Sequence, residues 1–386
     1  MVKHAAQEIL GKGQVVPNEL RPVKSETLYS DPKLHSPHAR DLSYISADGK
    51  GGEDLCGPYE PVENWQKPVE EGWRMCGGAA VYPESPDRVF TVSHRGIERE
   101  RTTPLVWGRG IFTIPDSPYS TSGKVEARPD HHVVVVNRDG EPTESWTWND
   151  HLFGKLNRVF ISKTDPDRHV WLTDSVNQKV YKFTNDGKEL VMAVGEVEAG
   201  STQDDPWKGQ DIAWLSNGDF YTAGLGRIDR FTAEGKHVFS YAKRGTGPGE
   251  FHDLHGLVLD EERHRIYVAD RGNSRIQIFD EDWNFLDQWQ KILGPCVLRL
   301  TTDGFIWVGD VFTQKFLKYD LDGRLITSWG QFGLAAGCTW GIHCMDRDDE
   351  GNIYIAENYG NRVQKYRPRA DADPNDPRLI GELVKF

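Results

Sequence analysis

The chain has 386 residues and a formal net charge of −13, and no apolar run in it reaches the length of a membrane span. The acidic balance argues against a nucleic-acid partner, because phosphate binding wants a basic face. Its 39 glycines and 13 tryptophans suit a turn-dense, aromatic-rich β protein. The opening stretch MVKHAAQEILGKGQ lacks the apolar core of a secretory signal. The five cysteines (Cys56, Cys76, Cys296, Cys338, Cys344) are an odd count without paired spacing. A reduced, cytoplasmic protein is the expectation.

Residues 1–60 carry no regular pattern; Pro, Ser, Asp and His are scattered through them. They read as an irregular N-terminal extension, which either wraps the body of the protein, covers one of its mouths, or trails as a tail. From residue 61 to residue 386 one grammar recurs. Phe251 to Phe279 states it most fully, in FHDLHGLVLDEERHRIYVADRGNSRIQIF. Two alternating apolar stretches flank a charged turn, the second ends on Asp270, and a tight polar turn leads to a third stretch closing on Phe279. Period-two alternation broken by Gly, Asn and Asp marks short antiparallel strands. The same order appears in 169–183 (HVWLTDSVNQKVYKF), 218–231 (GDFYTAGLGRIDRF), 303–319 (DGFIWVGDVFTQKFLKY) and 350–366 (EGNIYIAENYGNRVQKY). A fourth apolar stretch follows each. A recurrence of roughly 40 to 50 residues is the range of propeller blades, whose radial repetition protects their edges.

Taken in order, blade one begins near Trp73, with strands expected at Met75–Val81 and Arg88–Ser93. An interruption from His94 to Asp130 follows, rich in cations (Arg95, Arg99, Arg101, Arg109) and holding Trp107. Loops this long inside a compact repeat are usually functional, so this one is a candidate lining or cover for a substrate cleft. Blade two runs over Leu156–Gly195, blade three over Gln210–Tyr241, blade four over His255–Trp289 and blade five over Cys296–Trp329. Blade six starts at Ile342, with Leu379–Phe386 expected as the closing strand. The fold class is therefore all-β, a six-bladed propeller. The connector Lys243–Phe251 (KRGTGPGEF) lacks the order of a phosphate loop.

The first residue of each innermost strand should face the central channel. Aligning the blades on their second strands places Asn157, Gln210, His255, Cys296 and His343 there, with Gly77 or Cys76 in blade one. Two imidazoles in one channel can share a divalent ion, zinc first; the bland alternative is that each hydrogen-bonds a neighbouring blade. Asn157 offers a carbonyl oxygen as a further ligand, although zinc favours N and S donors. Cys296 is open to three readings: a soft ligand, a nucleophile, or a small apolar channel residue.

HGL followed by YVADRGNSRIQIF resembles the NHL-repeat propellers, and most nearly the peptidyl-α-hydroxyglycine α-amidating lyases, over roughly residues 75 to 386. The resemblance implies that His94-Arg95-Gly96 corresponds to that family's HRG, whose arginine belongs to the active site. It also implies that His255 and His343 fall where two of three zinc histidines fall. Three departures stand against it. Asn157 replaces the third histidine, Cys344 replaces the aspartate after the last one, and the catalytic tyrosine of blade three has no counterpart in Tyr221–Gly226. The amidating activity is therefore not carried over. His94 and His151 are in reach of the same mouth, and Tyr359 occupies the place of the absent tyrosine, one blade being exchanged for another.

The expected function is a lyase or hydrolase acting on a small polar or anionic substrate. His255, His343 and Asn157 bind the metal or the substrate. Arg95 holds the anionic group bidentately, Tyr359 or His94 moves the proton, and Asn157, Gln210 and Cys296 line the channel. Zinc is the expected metal and a structural calcium a second one. The partner is a small molecule, without nucleic acid or membrane, and the oligomeric state is open. The alternatives are an NHL-type protein-interaction module without catalysis and a calcium-dependent lactonase-type propeller, whose carboxylate ligands the ring lacks.

Overall fold

The computed structural model describes residues 56–99, 127–162, 165–195, 209–224, 226–290 and 292–384. Among them are six four-stranded antiparallel sheets and one small three-stranded sheet. Blade one comprises Gly78–Ser85, Arg88–Ser93, Val133–Val136 and Pro142–Ser145. Blades two to five follow in simple order, each from an inner to an outer strand. The innermost strand of every sheet contacts that of the next, and the last contacts the first, which closes the ring. The six-bladed propeller expected from the repeats is the fold.

Burial follows position in the blade. The inner strand Leu254–Asp260 is buried at every residue, whereas the outer strand His237–Ala242 alternates between half-buried and exposed. Inner strands have a neighbouring blade on both faces; outer strands have solvent on one. Blades approach closely where a turn glycine lets them. Gly187 and Gly323, both at positive φ, lie against the Trp146 and Trp289 rings of the preceding blades, where a Cβ would stand 2.4 Å from the ring.

Two expectations are corrected. The fourth strand of blade six is Tyr59–Val62, paired antiparallel with Arg362–Pro368, and not Leu379–Phe386. The C-terminal segment instead bridges Leu383 to Thr301 and sends the Val384 amide to the Leu300 carbonyl, 2.8 Å away. The expected strand Met75–Val81 is split. Trp73–Met75 pairs with Ile97–Arg99 and that with Ala127–Arg128 in the small side sheet, while blade one begins at Gly78. The remainder of the cationic insertion, including Arg101, Trp107 and Arg109, and all of residues 1–55, lie outside the described residues.

The carboxylates that end the second strands have a structural task. Asp310 accepts the amides of Leu293, Gly294, Phe312 and Thr313 at 2.9–3.0 Å. Asp174 accepts those of Gly154, Lys155, Val176 and Asn177. Each buried carboxylate pins the two loops that form one mouth of the channel, and each such charge-assisted bond contributes about 1.5–3 kcal/mol. The recurring acid in the sequence is thus a loop staple.

Candidate functional site

Strand register brings the start of each inner strand and the end of each second strand to the same mouth. Leu254 pairs with Asp270, Pro295 with Asp310 and Ile342 with Glu357. In each of these pairs the register slips by one residue, and the residue passed over is His255, Cys296 or His343. The same slip passes over Asn157 in blade two and Ala79 in blade one. A bulge leaves its extra residue outside the ladder and re-aims it. Five blades therefore present an unladdered residue, and with it an unladdered carbonyl, at one level of the channel.

The buried guanidinium of Arg158 answers those carbonyls. It donates to the carbonyls of Asn157, His255 and Cys296, each at 3.1 Å, and its Nε lies 3.5 Å from Asp211 of blade three. Asp211 in turn accepts the Leu257 and Ile212 amides. One side chain thus ties blades two, three, four and five together across the axis.

Beside it sits the histidine cluster. One ligand atom each from His255, Cys296 and His343 lies within 4.8 Å of the other two. Cys296 Sγ is 3.6 Å from His255 Nδ1. The His343 ring meets that of His255 edge-on at 5.1 Å between centroids and that of His94 at 4.8 Å. His343 Nδ1 is 2.6 Å from the Ala79 carbonyl and 3.0 Å from Arg158 Nη1. Only one of these contacts is a hydrogen bond, and the carbonyl, being nearer and an acceptor only, takes the Nδ1 proton. Arg158 Nη1 has the Asn157 carbonyl instead. The His94 Nδ1 proton likewise goes to the Leu156 carbonyl at 2.5 Å. Both rings are then fixed with Nε2 as the lone pair, the orientation that backbone carbonyls impose on metal-binding imidazoles. His94 Nε2 is buried with no hydrogen-bond partner.

All three histidines are held well below the usual imidazole range. Burial is the first cause in each. Nearby cations add to it: Lys155 at His94, Arg271 at His255 and Arg158 at His343. The rings are neutral at neutral pH, as ligation requires. Burial pushes the Cys296 thiol up, while Arg271 and Arg158 pull it down.

The rim carries the remaining chemistry. Arg271, after the second strand of blade four, is bound to Asp253 through Nε at 2.9 Å and Nη2 at 2.6 Å, and its Nη1 stands 3.9 Å from Cys296 Sγ. Tyr359 lies over Gly341, where a Cβ would come within 2.5 Å of its ring. Burial raises the Tyr359 phenol above its usual value, so it is protonated at neutral pH; Arg271 opposes the shift. Arg95 is exposed, two residues beyond the Gly78–Ser93 pair and thus at the same mouth. Gln210 and Asn157 are buried at the ring. His151 is exposed, in the 3-10 turn Thr147–Leu152, and is not in the cluster.

The structure therefore groups Cys296 with the two expected histidines and sets His94 against them. Sequence reasoning missed Arg158, Asp211 and Arg271. The first two sit one residue beyond the aligned ring positions and carried no pattern of their own. Arg271 was visible in the turn after Asp270.

Residues 251–279 match the NHL repeat family. NHL repeat-containing protein 3 of Homo sapiens is 28% identical over 258 residues, 61% of this chain and 72% of that protein. A probable peptidyl-α-hydroxyglycine α-amidating lyase of Caenorhabditis elegans is 28% identical over 257 residues, 57% of this chain and 67% of that protein. A Bacteroides thetaiotaomicron protein of unknown function superposes with a TM-score of 0.53 at 13% identity, over 80% of this chain and 73% of that one, a likeness of fold alone.

Proposed function

Because the chain is an NHL-repeat six-bladed propeller with amidating lyases among its distant homologues, we propose that it is a metal-assisted lyase or hydrolase for a small anionic substrate at the channel mouth. The observation that carries this reading is the convergence of His255, Cys296 and His343 from three different blades. Two imidazoles and a thiol suit a borderline-soft ion, and zinc is our choice. The buried, unpartnered Nε2 of His94 beside them is a further lone pair, open to a metal ion or a proton. Calcium does not fit, since it needs a cage of oxygens and the ring carbonyls of Asn157, His255 and Cys296 already serve Arg158.

A zinc ion bound there supplies Lewis acidity toward a carbonyl or hydroxyl oxygen. The protein's own groups do the rest. Arg271 is held rigid by Asp253 and, with Arg95, binds the substrate's anionic group. Tyr359 keeps its proton and donates it, or a hydrogen bond, to the oxygen that gains charge. His94 Nε2 accepts a proton. The amidating reaction itself is not transferred, because the family's blade-three tyrosine has no counterpart here. We place the protein in a reducing, cytoplasmic setting, a reading supported by five cysteines that are all unbridged. No helix among the described residues is long and apolar enough to cross a membrane.

Elemental mass spectrometry of protein purified without added metal tests the proposal. About one equivalent of zinc is expected, lost on His255→Ala or His343→Ala and weakened on Cys296→Ser. Wild-type protein that neither carries nor takes up zinc refutes the metal reading. The second reading, a protein-docking module, is favoured by the exposed Val176, Leu293, Phe312, Phe332 and Leu334 in the mouth-side loops. It predicts that the three metal-site variants leave partner binding unchanged.

A further inference from the structure

A second group of reactive side chains sits on blade one, outside the histidine cluster. Ser145 Oγ stands 2.6 Å from His131 Nδ1, and His131 Nε2 stands 3.5 Å from Glu70 Oε1. The three come from separate segments: the outer strand Pro142–Ser145, the turn before Val133–Val136, and the connection between Tyr59–Val62 and Trp73–Met75. A hydroxyl against an imidazole that a third group orients is the arrangement of an activated nucleophile.

The acceptors decide where the protons lie. Arg128 grips Glu70, Nη1 to Oε2 at 2.8 Å and Nη2 to Oε1 at 3.4 Å. That hydrogen bonding, before any other cause, holds the Glu70 carboxyl below its usual range. The carboxylate is ionised at neutral pH and only accepts, so a neutral His131 carries its proton on Nε2. Nδ1 is then the lone pair, and the Ser145 hydroxyl donates to it. Arg128 is itself fixed, by Asp130 through Nε at 2.9 Å and over the Trp73 ring at 5.2 Å. The His131 backbone is held in the left-handed region, at a φ of 56°. Asp150 pins it there, accepting the His131 amide at 2.7 Å and the His132 amide at 3.1 Å. A non-glycine residue stays in that region only where its surroundings hold it.

A chamber adjoins the pair. The cavity of about 660 Å3 at the seam of blades six and one has His131 and Val134 in its wall. Its volume is in the range of sites that enclose a small organic molecule, roughly 300–1,000 Å3. Ser145 is paired directly opposite Val134, and such residues project to the same side of a sheet. Ser145 therefore stands on the cavity's side of blade one, and it is half-buried rather than sealed. Trp73, Met75 and Ile97 form the apolar part of the lining.

We infer that Ser145, His131 and Glu70 form a second, metal-independent site, one that hydrolyses uncharged aryl esters. Ser145 Oγ bonds to the ester carbonyl carbon while its proton passes to His131 Nδ1. The bond from that carbon to the aryl oxygen breaks, and the phenolate takes the proton from Nδ1 and leaves as a phenol. Water then attacks the acyl-Ser145 carbon and gives a proton to Nδ1. The bond to Oγ breaks, Oγ recovers that proton, and the carboxylic acid departs. A phenol leaves with little help from an acid, whereas an amine needs a full proton transfer, so esters rather than amides are the class. The substrate is uncharged because Glu70, Arg128 and Asp130 beside the pair are already joined to one another. Its acyl chain lies along Trp73, Met75 and Ile97. Glu70 touches no substrate and is a positioning residue.

Two assays on full-length, metal-stripped protein in chelator test this, so that the zinc reading can fail without touching the result. Hydrolysis of 4-nitrophenyl butanoate should be saturable and faster than in buffer. Diisopropyl fluorophosphate, which loses fluoride to an attacking hydroxyl, should add about one phosphoryl group per chain, at Ser145 by peptide mass spectrometry; this arm needs no variant. Ser145→Ala should abolish the label, and both it and His131→Asn should cut kcat/KM at least a hundredfold, the lower end for general-base catalysis at about 10²–10⁴. Asparagine is chosen because it tolerates the left-handed backbone. Glu70→Gln should lower kcat at least fivefold and leave KM unchanged, a split that mere loosening of the connection would not give. The proposal is overturned by an unlabelled Ser145, by a label elsewhere, by Ser145→Ala or His131→Asn hydrolysing as wild type, or by Glu70→Gln acting on KM alone.

Discussion

Arg158 is where a single change should tell most about how this propeller is held. Its side chain is wholly buried, donates to three bulge carbonyls and stands 3.5 Å from the buried carboxylate of Asp211. Arg158→Met keeps the length and most of the volume but removes every donor and takes from the buried Asp211 its ion-pair partner, leaving only the influence of Arg299. Breaking a buried pair from one side costs about 3–5 kcal/mol. That is a fifth or more of a typical domain stability of about 5–15 kcal/mol. With a urea slope near 3 kcal/mol per molar, the upper end for small proteins, the midpoint should fall by about 1 M or more. The loss has two parts, and a second substitution separates them. Asp211→Asn added to Arg158→Met removes the stranded charge while keeping an acceptor for the Leu257 amide, so at least half of the lost stability should return. Urea unfolding followed by tryptophan fluorescence measures both. A loss below about 1 kcal/mol for Arg158→Met, or no recovery in the double variant, would show that the guanidinium is not the tie across the axis.

Three further outcomes follow from the same geometry. In metal-stripped protein the three buried histidines are neutral when folded and take protons near the ordinary imidazole value of about 6.5 when unfolded. The unfolded chain then binds more protons below that pH, so their contribution is complete above about 6.5 and is lost as pH falls toward the folded values, with a limiting slope of about 4 kcal/mol per pH unit for three groups. His343→Asn should flatten that slope, and an unchanged slope from pH 7 to 5 would contradict the assignment. Asp310→Asn should cost about 1.5–3 kcal/mol and speed amide exchange at Leu293, Gly294, Phe312 and Thr313; exchange unaltered there would deny the loop-staple role. Once a substrate is in hand, Arg271→Ala should cut kcat/KM at least thirtyfold and Arg95→Ala at least threefold, with Arg95→Lys not restoring a bidentate contact. A loss under threefold removes the residue concerned from the site.

Much of the architecture was legible in the residues themselves. Alternation at period two, the turn glycines and asparagines, and the returning aromatic-plus-acid strand ends are local properties, and a blade is a local object. Repetition did the rest, because one blade cannot bury its faces without neighbours. The same alignment placed Asn157, His255, Cys296 and His343 at one level of the channel, since equal spacing to the second strand is also local. What escaped was decided by contacts distant in the chain. Leu379–Phe386 has the better strand pattern, yet Tyr59–Val62 closes blade six, because ring closure rewards the segment that reaches the open edge of Arg362–Pro368. The bulges beneath Asn157, His255 and Cys296 have no sequence signature, and only they free the carbonyls that Arg158 collects. In the string of residues Arg158 is an ordinary strand arginine; its contacts with blades two to five make it the tie across the channel. The sulfur of Cys296 becomes a neighbour of two imidazoles for the same reason: the ring must close before residues 255, 296 and 343 share a space.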